Sequence, residues 1–308
     1  MHKRHCPGAD LGIHGGPQPA IDRCAWMRLL FVGWSGGLAV CMLATTWVGG
    51  AHAEGPGAAG AATSVQTCQP FDQKHRAWTD LLRRYVHDGL VDYAALKAGG
   101  TSDLHAYLAS IEAVCAEHFD VWSRAQRLAF WINAYNAYTM NLIVEHHPVK
   151  SIRTIGPTPD AAFKNRFIPL KWLRNEPLSL DDIEHAILRR EFQEPRVHFA
   201  LVCAARSCPA LRAEAYRAED LDAQLNTAAQ AFVQSEDKNR YDGRSHTLYL
   251  SRIFDWFRED FETTAPTLER FVARFAATET ATAIRSQPPR IRFLKYDWAL
   301  NNRFSALP

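Results

Sequence analysis

Charge of one sign is what this sequence most lacks. Over 308 residues, 35 Lys and Arg stand against 33 Asp and Glu. Residues 1–53 hold four of the basic and two of the acidic groups, so the remainder carries 31 of each sign. That balance gives no electrostatic footing to nucleic acid or an anionic membrane surface as partner. After Trp47 there is no second long apolar run, so no membrane span is expected in the mature chain. No internal repeat is visible, which excludes solenoids and propellers. The strand–helix–strand rhythm of parallel α/β folds is missing as well. So are His-Glu-x-x-His and paired Cys-x-x-Cys spacings, and neither a metal nor a cofactor is expected.

What is present begins with an export signal. Met27-Arg-Leu-Leu-Phe-Val-Gly-Trp opens an apolar run through Trp47, and Ala51-His-Ala53 follows. A basic start, an apolar stretch and a small-x-small site read as a secretory signal peptide, cleaved after Ala53. Met27 is the expected true start, with residues 1–26 an extension. Residues 54–66 read as a flexible leader and 67–308 as one domain. The expected location is periplasmic or secreted. Cleavage removes Cys6, Cys24 and Cys41 and leaves Cys68, Cys115, Cys203 and Cys208, an even number in an oxidising compartment.

Helical signals dominate the first two thirds of the domain. Trp78–His87 has helical character. Ser123-Arg-Ala-Gln126 is a capping box, followed by Leu128, Trp131, Ile132, Tyr135, Thr139, Leu142 and Ile143 at helical spacing, with Pro148 beyond. Ser179-Leu-Asp-Asp182 opens another helix, with acids in its first turn and Arg189 and Arg190 in its last. Further helices are expected at 218–234 and 251–261. Val197–Cys203 reads as a short strand, Asp242-Gly243 as a hairpin turn, and Ile291–Tyr296 as a late strand. The expected class is α+β: a single domain with several helices around a small, mostly antiparallel sheet.

The block Arg196-Val-His-Phe-Ala-Leu-Val-Cys-Ala-Ala-Arg-Ser-Cys-Pro209 concentrates the candidate chemistry. On a strand, Arg196, His198, Ala200 and Val202 would share one face and Cys203 would lie on the other. Cys208, folded back from the loop, is then the candidate thiol nucleophile, with His198 as its base. The competing reading is a Cys203–Cys208 disulfide, which leaves Cys68 and Cys115 to pair, or Cys115 as a small buried hydrophobe. Asn133 and Asn136 sit three apart on a helix and need partners for buried amides. These are either a loop backbone or His198 and the substrate, with Asn133 then orienting the imidazole or the oxyanion. Arg196, Asn136 and Glu184 are the candidate binding residues. His146-His147 marks a helix end more naturally than a zinc site.

Taken together, Phe130-Trp-Ile-Asn-Ala-Tyr-Asn-Ala137, Leu178–His185, Arg196–Cys203 and Ser207-Cys-Pro209 resemble the domain of unknown function 547 family. Gly89-Leu-Val-Asp-Tyr93, Leu250–Trp256 and Tyr296–Asn301 extend the resemblance over nearly the whole mature chain. It implies an exported bacterial protein whose blocks form one domain, and it brings no activity with it. A thiol-dependent hydrolase or transferase acting on an amide or thioester is the leading expectation. The alternative is a non-catalytic binding or scaffold module, with the disulfide and a small polar pocket for a small molecule or peptide.

Overall fold

The computed structural model describes residues 70–304 apart from 171, 174 and 175. The expected signal peptide, the leader and Cys68 lie outside the described residues. Helix α1 (Arg76–Tyr85) runs into a two-stranded hairpin, β1 (Val86–His87) and β2 (Leu90–Val91). Asp88 and Gly89 both take positive φ at its turn, 50° and 78°. A Cβ at position 89 would collide with the Cα and Cβ of Ala210, so glycine is required there for space as well as conformation. Helices α2 (Tyr93–Gly99), α3 (Thr101–Glu112) and α4 (Ala116–Asp120) follow.

The central element is α5 (Arg124–His146), buried at every position from Leu128 to Val144. Its start is fixed by the capping box: the Gln126 N–H donates to Ser123 Oγ at 3.2 Å, and the Ser123 N–H donates to Gln126 Oε1 at 2.8 Å. At its end the His146 ring donates to the Leu142 carbonyl at 2.9 Å, the helix-end role expected of it. Because α5 is surrounded, its polar residues must find partners inside the protein.

The short helix α6 (Ala161–Lys164) precedes a second capping box. The Ser179 N–H donates to Asp182 Oδ2 at 2.9 Å and the Asp182 N–H to Ser179 Oγ at 3.0 Å. The helix it opens, Asp182–Phe192, is wound as a π-helix. A 3-10 turn (Pro195–Phe199) and α7 (Leu221–Val233) come next. Strands β3 (Arg240–Asp242) and β4 (Thr247–Leu250) form the expected hairpin, with Tyr241 opposite Leu248. The helices α8 (Ile253–Trp256), α9 (Arg258–Glu262), α10 (Leu268–Val272) and α11 (Thr278–Ser286) lead to β5 (Arg290–Phe293). Strand β5 adds parallel to β4, with Leu250 opposite Phe293. The class is α+β, one domain of helices around small, mostly antiparallel sheets.

Two sequence expectations need correction. The helix read over 251–261 breaks at Phe257 into α8 and α9. The strand read over 197–203 is not a strand. Pro195 takes the first helical position and Glu194 accepts the Arg196 N–H at 3.1 Å, which starts a 3-10 turn. Val197, His198 and Phe199 are all buried, so no alternation of faces exists to exploit. The chain then continues through Ala200–Cys203 with no neighbouring strand among the described residues, and the Asn136 amide takes the place of one. Its Nδ2 donates to the Ala200 carbonyl and its Oδ1 accepts the Val202 N–H, both at 2.9 Å.

Candidate functional site

Asn133 repeats that pattern one turn earlier on α5. Its Nδ2 donates to the Tyr216 carbonyl at 2.7 Å and its Oδ1 accepts the Tyr216 N–H at 3.0 Å. Both asparagines are thus spent on main chain, the first of the two partnerships open to them. Neither amide makes a hydrogen bond to His198. Arg196 also departs from its expected place. It holds Glu194 in a bidentate pair at 2.8 and 2.7 Å and reaches Asp222 at 2.8 Å and Asn226 at 2.7 Å on α7. It clamps the 3-10 turn to that helix and does not line the cavity that holds His198.

That cavity measures ≈ 340 Å³. Glu184, His198, Cys203 and Cys208 line it together, so the structure unites these four sequence candidates. Cys203 and Cys208 are joined as a disulfide. Cys208 therefore carries no thiol in this state, which corrects its reading as a resting nucleophile. Cys115 is also disulfide-bonded. Tyr296 leans on the Cys203–Cys208 bridge, its hydroxyl donating to Cys208 Sγ at 3.2 Å and Cys203 Sγ at 3.4 Å.

Beneath the cavity floor lies a polar relay. The Nε2–H of His198 donates to Asp260 Oδ2 at 2.7 Å, and Arg189 grips both oxygens of Asp260 at 2.6 and 2.9 Å. Burial alone would raise the Asp260 carboxyl, but hydrogen bonds from His198 and Arg189 hold it well below the usual range. Burial lowers the His198 imidazole, with Asp260 opposing. The ring stacks on Phe257 at 3.9 Å between centroids. With its proton on Nε2, the Nδ1 lone pair of neutral His198 faces Glu184, whose Oε1 is 3.9 Å away.

Glu184 is the most perturbed acid of the cavity wall. Burial, reinforced by the charge of Asp181, pushes its carboxyl up to about 7. Tyr135, buried on α5, donates to its Oε2 at 3.3 Å. Glu184 and Arg189 are five apart, the i→i+5 repeat of a π-helix, so both reach the His198–Asp260 pair from one helical segment. Aromatic residues line the cavity as well. Trp256 is 44 % exposed and stacks against Trp298 at 5.9 Å and Tyr296 at 4.8 Å. The Arg153 guanidinium lies over the Trp298 ring at 4.9 Å.

The residues 119–233 match a family described as protein of unknown function, DUF547. A domain of that family is present over this span. No curated protein and no solved structure matches the chain. The DUF547 match takes in Asn133, Asn136, Glu184, His198 and the disulfide, but stops short of Asp260, Tyr296, Trp256 and Trp298. Five of the sixteen lining residues, Ile253, Trp256, Phe257, Tyr296 and Trp298, therefore come from chain beyond the matched segment. Sequence reading missed Asp260 and Arg189 as a pair because they lie 71 residues apart, with no spacing to join them. Tyr135 is legible in the sequence only as part of an apolar stripe, and Trp256 and Trp298 only within blocks of the family resemblance. Asp297 does cap its own turn by accepting the Ala299 N–H at 2.9 Å. Among the described residues no group of three metal-ligating side chains converges, and no helix is long and apolar enough to cross a membrane.

Proposed function

We propose that the chain is an exported binding module whose cavity takes a small amine-bearing ligand. The observation that carries this reading is the lining. Carboxylates of Glu184 and Asp181 line the cavity together with the rings of Trp256, Trp298, Tyr296 and Phe257. Convergent acids in an otherwise aromatic pocket favour a cation, whose charge the ring faces also attract. The protein's own Arg153 already occupies one such face at Trp298. Arg196, a candidate binding residue by sequence, lines a different cavity and brings no positive charge to this one. An oxidising, extracytoplasmic location fits two sets of bonded cysteines. The binding reading is preferred to thiol-dependent hydrolysis because the only cysteine sulfurs of the cavity are paired with each other.

Titration with three benzyl compounds tests it, read by the fluorescence of the rim tryptophans and by calorimetry. Benzyltrimethylammonium should bind about tenfold more tightly than benzyl alcohol, the size of a partly desolvated cation–π contact. Its affinity should rise between pH 6 and pH 8 as Glu184 ionises, and Glu184→Gln should abolish that rise. Equal binding of benzyl alcohol, or tighter binding of benzoate, would refute the assignment of ligand charge.

A further inference from the structure

The Cys203–Cys208 bridge has three features that a simple staple does not need. Both sulfurs line the cavity, and they differ in exposure: Cys203 is partly exposed while Cys208 is 3 % exposed. The donors are uneven too. Cys208 Sγ accepts the Cys203 N–H at 3.1 Å as well as the nearer approach of the Tyr296 hydroxyl, at 3.2 Å. Cys203 Sγ has the Tyr296 hydroxyl alone, at 3.4 Å. Finally, the loop between them is held without the bridge. The Arg206 N–H donates to the Ala299 carbonyl at 2.8 Å and the Ser207 N–H to Asp297 at 3.2 Å. In return the Asn301 N–H donates to the Ala204 carbonyl at 3.0 Å and the Asp297 N–H to Ser207 Oγ at 2.8 Å.

We propose that Cys203 and Cys208 form a thiol–disulfide exchange site that accepts a small dithiol through the cavity. The dithiol enters as a thiolate and attacks Cys203 Sγ, the sulfur open to the cavity. A bond forms between the two, the Cys203–Cys208 bond breaks, and its electron pair leaves on Cys208 Sγ. The Cys203 N–H and the Tyr296 hydroxyl meet that charge as it develops, which lowers the pKa of the leaving thiol and speeds its departure. The second thiol of the dithiol then attacks the sulfur of its own mixed disulfide and expels the Cys203 thiolate. Two electrons pass to the protein, the dithiol becomes a disulfide, and its two protons end on Cys203 and Cys208. Because residues 297–301 hold the loop, the reduced cysteines stay side by side and the reaction runs equally in reverse. The exchange uses the proposed ligand cavity but does not rest on the ligand's charge.

The test is exchange on the folded full-length protein. Dithiothreitol without denaturant should open Cys203–Cys208 while circular dichroism is unchanged, as read by alkylation and peptide mass mapping. In Cys208→Ser, oxidised glutathione should be trapped on Cys203. In Cys203→Ser, Cys208 should be labelled far more slowly. Tyr296→Phe should raise the Cys208 thiol pKa of the reduced protein by about one unit, and slow its reduction by about tenfold, the effect of one hydrogen bond to a charged group. The pKa readout separates thiolate stabilisation from packing, which the retained ring preserves. Reduction only in step with unfolding would overturn the proposal, and so would trapping on Cys208 in preference to Cys203. An unchanged thiol pKa in Tyr296→Phe would remove the role of the hydroxyl and with it the direction of attack.

Discussion

Glu184, largely withdrawn from solvent, and the buried His198 are ionisable residues whose environments act in opposite directions on stability. The native Glu184 carboxyl titrates at about 7, above its ordinary value of 4.5. Between those values the folded state binds a proton that the unfolded state has lost, so stability falls as pH rises through the window. His198, lowered by burial, does the reverse: it costs stability as pH falls below 6.5 because the unfolded imidazole then takes up a proton. The two slopes partly cancel in the wild type. Replacing Glu184 by Gln removes only one of them. The stability of the wild type relative to Glu184→Gln should therefore drop by on the order of 3 kcal/mol from pH 4.5 to pH 8. Urea unfolding at four pH values measures it. A constant difference would mean that Glu184 titrates as an ordinary carboxylate and that its burial is relieved by solvent.

At the scale of elements, Asn136 shows how a side chain can replace a strand. The segment Ala200–Cys203 runs along α5 with its polar main chain turned inward, and the amide supplies the donor and acceptor that a ladder would provide. Asn136→Ala leaves a buried N–H and a buried C=O unpaired, a loss of about 2–6 kcal/mol at ~1–3 kcal/mol per group. Denaturant midpoints check this, and a cost below about 1 kcal/mol would show that water substitutes for the amide. The same residue marks where sequence reading succeeds and stops. Helix α5 was legible because capping box, apolar period and terminating proline are all local. The need of Asn133 and Asn136 for partners was legible as well, since a buried amide must be paired wherever it lies. The partner was not, because Ala200 and Val202 are 64 and 66 residues away. Val197–Cys203 was misread for a related reason. A short apolar run buried on every side has no period, and Pro195 with Glu194 gave the only local sign of a turn. Glu184 and His198 could be nominated from residue type, whereas Asp260, Arg189 and Tyr296 enter the site through tertiary contact alone.

For the whole molecule, residues 297–303 form a strap that ties distant segments together. The Leu300 N–H donates to Lys150 beyond α5 at 2.9 Å, the Arg303 N–H to Val91 of β2 at 2.8 Å, and the Val91 N–H to Asn301 at 3.0 Å. The Tyr93 hydroxyl donates to Asn301 Oδ1 at 2.9 Å, and the 204–208 loop hangs on the same strap. A bridge closing so short a loop contributes about 2 kcal/mol in the chain-entropy view. The strap combines at least six main-chain hydrogen bonds, each worth ~0.5–1.5 kcal/mol, with the burial of Leu300 and Asn301. Deleting residues 297–308 should therefore cost several kcal/mol, on the order of 5, and more than the double variant Cys203→Ser/Cys208→Ser at about 2. The two losses should not add, because bridge and strap restrain one loop: the disulfide should matter more once the strap is gone. Guanidinium unfolding of the four proteins in this cycle measures all three quantities. A truncation milder than the cysteine replacement would invert the order and make the disulfide the true fastener. A large positive coupling, with the folded state surviving in the cysteine variant, places the 203–208 loop under the control of the C-terminal strap and leaves its sulfurs free for chemistry.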